Sequence, residues 1–163
     1  MNRSTPTAWV REHNRIAHSS TLRAAGFTEY SIRMAVARGD LHPIRRSWLV
    51  TPDCDDRRIA AASVGGRPTC VTAAALAGLW NLDSLEAHVW LPRTASRFDA
   101  TGMRVHRARG PVPVHARASE EPVVNVLFHV ARCCPPEDAL AIWESAVRRN
   151  VIGLDVLERV QWH

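Results

Sequence analysis

The sequence contains no lysine, and all 21 of its basic residues are arginine. This absence excludes a phosphate-binding loop that ends in Gly-Lys, a Schiff-base lysine and the lysine of a nuclease motif. The uniform use of arginine is typical of the coding bias of a GC-rich genome. Arginine is also well suited to bidentate contact with guanine or phosphate. The composition therefore removes several enzymatic chemistries and leaves nucleic-acid binding open.

Cysteine is scarce and lacks the spacing of a zinc knuckle. The four cysteines are Cys54, Cys70, Cys133 and Cys134. No two are separated by two residues, and adjacent cysteines do not easily serve one tetrahedral site. His129 lies one helical turn before Cys133, but free cysteine is usually buried, so we interpret this pair as a buried thiol beside a helix histidine. The sequence predicts reduced thiols, no metal site and no cofactor.

Long apolar runs, signal peptides and catalytic motifs are also missing. The most apolar run, Val71 to Trp80, is too short to span a bilayer. Glu120 and Glu121 precede a proline without a partnered base, and no nucleophile motif occurs. We therefore expect a cytoplasmic protein that does not contact membrane and is not an enzyme.

The positive charge of the chain is concentrated in its first fifty residues. The formal net charge is +5. Residues 1–50 contain eight arginines against three acidic residues, whereas residues 51–163 contain thirteen of each. The excess therefore lies in one segment, as expected for a surface that binds phosphate. The alternative is a basic N-terminal domain that its charge keeps soluble.

The segment from Ser19 to Val50 predicts two short helices followed by a hairpin. Ser19 or Ser20 can cap the first helix, and Gly26 can end it because glycine tolerates positive φ. Thr28 can cap the second helix, which Gly39 ends. The buried stripe of the second helix should be Ile32, Ala35 and Val36. The outward face should hold Tyr30, Arg33, Met34 and Ala37.

Two apolar runs, Leu41 to Ile44 and Trp48 to Val50, flank Arg45-Arg46-Ser47 and predict a hairpin with a basic tip. The order of helix, turn, helix and hairpin indicates a winged helix-turn-helix that binds double-stranded DNA, with the hairpin as its wing. We expect Tyr30 and Arg33 in the major groove and Thr21 and Thr28 near phosphates. The full set of predicted DNA-binding residues is Thr21, Thr28, Glu29, Tyr30, Arg33, Arg38, Arg45 and Arg46.

The remaining pattern predicts an α+β protein in which the N-terminal winged helix-turn-helix is followed by a small mixed α/β domain. A first helix from Thr7 to Ala17 should carry the helix-turn-helix, with Trp9, Val10, His13 and Ile16 on its buried side. Thr51-Pro52-Asp53 is the predicted boundary between domains 1–52 and 53–163. Further predicted helices cover 55–64, 123–133, 136–149 and 154–162, and another begins at Thr69 or Thr72 and runs to Trp80. Predicted strands cover 86–91 and 103–108.

These segments, in this order, resemble actinobacterial proteins of the AbiEi antitoxin type. The matching stretches are Ser19–Gly26, Thr28–Leu41, Ile44–Val50, Ala73–Trp80, Cys134–Ala141 and Ala146–Leu157. The resemblance implies an N-terminal winged helix that binds operator DNA, followed by an α/β domain. In antitoxin members it implies repression of a toxin–antitoxin operon, with a cognate toxin as a partner.

Two features differ from that family. Many relatives continue into a restriction-endonuclease-like domain that this sequence does not include. Relatives also carry an Arg-Thr-Leu-Leu-Asp run where this chain has Asn125-Val-Leu-Phe-His129, so the roles of that arginine and aspartate are not transferred. Phage or prophage repressors could share the same layout. A protein-binding module, whose winged helix packs against a partner protein, is the alternative to a DNA-binding repressor.

A second basic cluster follows in the predicted α/β domain. Five arginines fall within seventeen positions that contain one acidic residue, Asp99, and they are Arg93, Arg97, Arg104, Arg107 and Arg109. We expect two strands and their connection to bring these arginines onto one side of the domain. That side could make a second DNA contact or bind an acidic protein. It could also be a solvated basic edge that discourages strand pairing.

Overall fold

The structure is a computed structural model that describes residues 4–80, 84 and 86–162. Within these ranges the fold is mixed α+β, with eight helices and two small sheets of three strands each. The helices are α1 (Pro6–Glu12), α2 (Ser19–Ala24), α3 (Glu29–Ala37), α4 (Asp56–Ser63), α5 (Cys70–Leu76), α6 (Val123–Cys133), α7 (Pro136–Arg148) and α8 (Leu154–Arg159). The strands are β1 (Ile16–His18), β2 (His42–Ile44), β3 (Trp48–Val50), β4 (Arg67–Pro68), β5 (Ala87–Trp90) and β6 (Met103–His106).

The first sheet joins the start of the chain to the predicted hairpin. Its strand order is β1-β3-β2, and β3 pairs antiparallel with both neighbours. The hairpin of β2 and β3 confirms the prediction from the two apolar runs. Helices α1, α2 and α3 pack over one side of this sheet around Val10, Leu22, Ala35, Leu41 and Leu49.

The predicted helix from Thr7 to Ala17 is wrong in its second half. Helix α1 ends at Glu12, and Asn14 and Arg15 both have a φ of 63°. The chain then enters β1, where Ile16 pairs with Val50 and is buried. Burial and strand pairing of this short segment outweigh the helical periodicity, and His13 is exposed as a result.

Helices α2 and α3 follow the predicted turn chemistry in most respects. Gly26 has a φ of 91° after α2, as predicted for the reversal. The hydroxyl of Thr28 accepts a hydrogen bond from the Ser31 amide and caps α3, also as predicted. The cap of α2 differs, because the Nδ1 atom of His18 accepts from the Ser20 amide. Ser19 and Ser20 are therefore inside the helix.

The second sheet has the order β4-β5-β6 and combines two kinds of pairing. Strand β4, which was not predicted, pairs antiparallel with β5, whereas β5 and β6 run parallel. His88 lies beside Arg104, and Trp90 lies beside His106. Because side chains alternate along a strand, these four residues share one face of the sheet. The other face packs against α4 through Val89 and Val105.

Helices α5, α6 and α7 form the largest core of the described residues. Leu127, Val130, Ile142 and Ala146 are fully buried there. The predicted helix from Val123 to Cys133 matches α6. The last helix, α8, ends at Arg159 rather than at Trp162, whose indole N–H donates to the Leu157 carbonyl. In the described ranges, no helix has the length and apolar character needed to cross a membrane.

The two predicted domains are in contact near their boundary. Cys54 and Ala62 pack in one cluster with Ile16, Trp48 and Val50. Residues on both sides of position 52 therefore share apolar surface, while the division into domains at that position stays a prediction.

A buried ion pair connects the second sheet to α6. The Nε atom of Arg67 donates to Oε1 of Glu121 at 2.8 Å, and the two side chains are only 4% and 1% exposed. The other oxygen, Oε2 of Glu121, accepts from Nδ2 of Asn125 at 2.9 Å. The Arg67 guanidinium also lies over the Trp90 ring, 3.9 Å from its centroid. Both charges are thus paired and surrounded by partners.

Replacing Glu121 by alanine is expected to lower the free energy of unfolding by about 3–5 kcal/mol, because it leaves Arg67 as an unpaired buried cation. Urea denaturation measures the change. Glu144→Ala is the matched control, since Glu144 and Arg148 form a pair at the surface. That control should change the stability by less than about 0.5 kcal/mol. Equal effects of the two substitutions would contradict this interpretation.

Candidate nucleic-acid interface

The outward face of α3 carries large exposed side chains. Tyr30 is 66% exposed and Met34 is 36% exposed. Arg33 and Ala37 are exposed beside them, opposite the buried Ile32. The capped, amphipathic α3 thus presents an aromatic ring, a guanidinium and a thioether to the outside. The predicted orientation of this helix is confirmed.

Beside this face, α2, α3 and the hairpin enclose a groove of about 390 Å³. Three arginines from different elements line it: Arg23 of α2, Arg33 of α3 and Arg46 of the hairpin turn. Glu29 also lines it, at the opening turn of α3. Three positive charges and one negative charge therefore meet in a concave surface, which we call the arginine groove. Such a surface attracts an anion such as phosphate.

The two arginines of the hairpin turn point to different places. Arg46 lines the arginine groove. Arg45 has a φ of 52°, and its Nη1 atom lies 2.5 Å from the position that a Cβ on Gly65 would occupy. The Arg45 side chain therefore contacts the turn after α4. The positive φ of Arg45 separates two side chains that are adjacent in sequence.

Other predicted contact residues lie outside the arginine groove. Thr21 lines a different cavity, together with Trp9, His115 and Arg117. The Nε atom of Arg38 donates to Asp40 at 3.0 Å, so part of its charge is balanced. Thr28 is exposed at the start of α3, where its hydroxyl serves as the cap. The geometry therefore brings together Glu29, Arg33 and Arg46, with Tyr30 on the adjoining face.

Arg23 is the groove residue that the sequence did not indicate. It lies in the last turn of α2, where a basic residue suits the helix dipole. Its position beside Arg33 and Arg46 depends on the angle between α2 and α3. Sequence periodicity carries no information about that angle.

The second basic cluster does not form the single surface that we expected. The Nη1 atom of Arg104 donates to Sγ of Cys133 at 3.4 Å, on the α6 side of the second sheet. Arg107 instead donates to the Pro92 carbonyl and lies over Phe98, on the α4 side. The expectation of one shared side is wrong for these two, because Arg104 lies on β6 and contacts α6, whereas Arg107 lies in the segment after β6 and contacts Pro92 and Phe98. The remaining three arginines, Arg93, Arg97 and Arg109, are exposed.

Cysteine and histidine side chains converge elsewhere in the fold. Cys70, His88, His106 and Cys133 place one ligand atom each within 4.8 Å of one another. Burial lowers the pKa of His88 and the pKa of His106 to about 4 each, so both imidazoles are neutral at pH 7. No pair of these residues has a recognisable spacing in sequence, so short motifs do not indicate the cluster. His129, which sequence placed near Cys133, has its ring 5.2 Å from that of His106.

No protein-family model matches the chain, and no curated protein matches it either. The resemblance to AbiEi-type antitoxins therefore stays a hypothesis that rests on the order of its motifs.

Replacing Thr28 by alanine is expected to destabilise the protein by about 1 kcal/mol, because the Ser31 amide loses its cap. Thr28→Ser retains a hydroxyl at that position and should be close to wild type. Thermal unfolding of both variants measures the difference. A destabilised Thr28→Ser variant would show that the methyl group of Thr28, rather than its cap, is required.

Proposed function

We propose that this protein is a sequence-specific double-stranded DNA-binding repressor, of the antitoxin or phage-repressor type. The observation that carries the proposal is the arginine groove beside the exposed face of α3. The whole net positive charge of the chain also falls within residues 1–50, the segment that builds this groove. Phosphate contacts supply affinity, and a helix in the major groove supplies sequence recognition.

In this proposal α2 and α3 are a helix-turn-helix, and the hairpin of β2 and β3 is its wing. The order of elements supports this assignment, since α2, a short turn and α3 are followed directly by the hairpin. The second helix of such a unit enters the major groove. Helix α3 is suited to that place because Tyr30 and Arg33 are exposed on the face turned away from the core.

Arg33 is proposed to read a base, and Arg46 is proposed to hold the phosphate backbone. A guanidinium can donate two hydrogen bonds to guanine, which is worth about 1–3 kcal/mol of discrimination. Arg46 comes from the hairpin turn and lines the arginine groove together with Arg33. It can therefore reach the DNA backbone at the border of the major groove. Phosphate contacts from Arg46 and Arg23 would fix the register without specifying sequence.

Selection of bound sequences from random duplex DNA by the full chain tests the function. Arg33→Ala is expected to relax the preference at one base pair, by about 1–3 kcal/mol of discrimination. Arg33→Lys is the matched control, because it keeps the charge but loses the bidentate geometry. It should relax the same base pair while keeping the salt dependence of binding. An unchanged preference in both variants would refute the role of Arg33.

The side chains of Arg45 and Arg46 point to different places, and this difference provides a second test. Arg46→Ala should weaken binding to all duplexes alike and reduce the slope of log affinity against log salt by about one. Arg45→Asn is the control, because asparagine tolerates the positive φ and the Arg45 side chain contacts Gly65 instead of the groove. It should leave the slope at its wild-type value. A reduced slope in Arg45→Asn together with a wild-type slope in Arg46→Ala would show that the wing contacts DNA through Arg45.

The second part of the chain offers a further surface. Arg93, Arg97 and Arg109 are exposed and could extend the DNA contact or bind an acidic protein. Strand β6, which carries Arg104, is an edge of the second sheet in the described residues, so a solvated basic edge that discourages strand pairing is the alternative there.

A protein-binding module, with a cognate toxin or another protein as its partner, is the second candidate function. It is favoured by an apolar groove between α7 and α8, where Leu140 is 60% exposed and Leu154 is 62% exposed. Exposed apolar surface of this kind marks interaction sites. Failure of the full chain to enrich any duplex sequence would favour this function over repression.

A further inference from the structure

Outside the arginine groove, two cysteines and two histidines from four separate elements converge at one place in the fold. Cys70 begins α5, His88 lies on β5, His106 lies on β6 and Cys133 ends α6. The sequence separates the first and last of them by more than sixty positions. Their donor atoms nevertheless all lie within 4.8 Å of one another.

The sheet register explains why the two histidines meet. His106 pairs with Trp90, two residues beyond His88 in the parallel register, so both histidines project from the same face. That face is covered by α5 and α6, which supply the two cysteines. His88 is also held by its backbone, because its amide donates to Oγ1 of Thr72 at 2.8 Å. The four side chains are therefore positioned by the packed part of the fold.

We propose that Cys70, His88, His106 and Cys133 bind one zinc ion as a structural Cys₂His₂ site. Zinc binds thiolate sulfur at about 2.3 Å and imidazole nitrogen at about 2.0–2.1 Å in a tetrahedron. Ligand atoms in such a tetrahedron are separated by about 3.3–3.8 Å. Nδ1 of His88 lies 3.1 Å from Nε2 of His106 and 3.9 Å from Sγ of Cys133. Both separations are within a few tenths of an ångström of what the ion requires.

The donor set selects the kind of metal. Two sulfurs and two imidazoles in a tetrahedral arrangement indicate zinc or an iron–sulfur centre. All four donors share one small volume, which fits a single ion better than two iron atoms bridged by sulfide. Four protein ligands also leave no open position, as in structural zinc sites. The ion would join α5, β5, β6 and α6.

Neighbouring groups suit the bound state. The Nη1 atom of Arg104 donates to Sγ of Cys133 at 3.4 Å, and such an outer partner stabilises a thiolate ligand. Cys70 has a φ of 51°, a conformation that residues with a Cβ adopt only where the surroundings impose it. In this proposal Arg104 supports the metal site rather than a DNA contact.

Metal analysis of the full chain, purified with zinc and then dialysed, is the direct test. We expect about one zinc ion per chain in the wild type, and less than about one-tenth of an ion in Cys133→Ser and in His106→Asn. Cys54→Ser is the matched control, since Cys54 is a buried free thiol in another cluster. Cys134→Ser is a second control, adjacent to a ligand. Both should retain about one ion. A wild type without zinc, or equal loss in Cys54→Ser, would overturn the proposal.

A second measurement uses only the wild-type chain and does not depend on the folding of variants. Cys133 and Cys134 are adjacent and both half-buried, so their alkylation by iodoacetamide can be compared by mass spectrometry. Zinc added to the chelator-treated protein should slow alkylation of Cys133 at least about tenfold and leave Cys134 nearly unchanged. Cobalt in place of zinc should give the visible absorption of a tetrahedral site with sulfur ligands. Equal alkylation with and without zinc, or an octahedral cobalt spectrum, would refute the site.

Discussion

A buried ion pair between Arg67 and Glu121 constrains how the second sheet meets α6. Removing two charges from water is costly, and the cost is offset only when both ions keep close partners. Glu121 keeps two, because one oxygen accepts from Arg67 and the other from Asn125. Asn125 in turn exchanges two hydrogen bonds with the backbone of Val112. The segment before α6 is thus tied to both β4 and α6, which holds the start of α6 beside the second sheet.

The position of α6 then determines what the sheet faces. With α6 and α5 on one side, His88 and His106 point toward Cys70 and Cys133, while Val89 and Val105 point toward α4. The parallel pairing of β5 and β6 matters here because it places the histidines two residues apart along neighbouring strands. An antiparallel pair would give a different register. A cluster of cysteine and histidine side chains can therefore lie at the margin of a large apolar core.

In the N-terminal part, the backbone conformation of the hairpin turn separates the charged side chains of Arg45 and Arg46. The positive φ of Arg45 turns its side chain toward Gly65, and Arg46 is left in the groove with Arg23 and Arg33. Like charges gathered in a concave surface repel one another and raise the attraction for an anion. The buried face of α3 supplies the compensating stability, since Ile32 and Ala35 pack in the core below. The packing of its buried face thus allows α3 to carry an outer surface on which like charges repel one another in the absence of an anion.

The sequence by itself determined the local elements, because capping and periodicity act between near neighbours. Thr28, Gly26 and the stripe of Ile32 and Ala35 were sufficient to predict α3 and its outward face. The short-range pattern predicts the wrong element where residues distant in sequence pair with each other. It predicts a helix at Ile16, whereas this residue lies in β1 and pairs with Val50. Only the tertiary structure placed Arg23 beside Arg46 and gathered Cys70, His88, His106 and Cys133. Such groupings depend on helix angles and strand register, which short-range patterns do not encode.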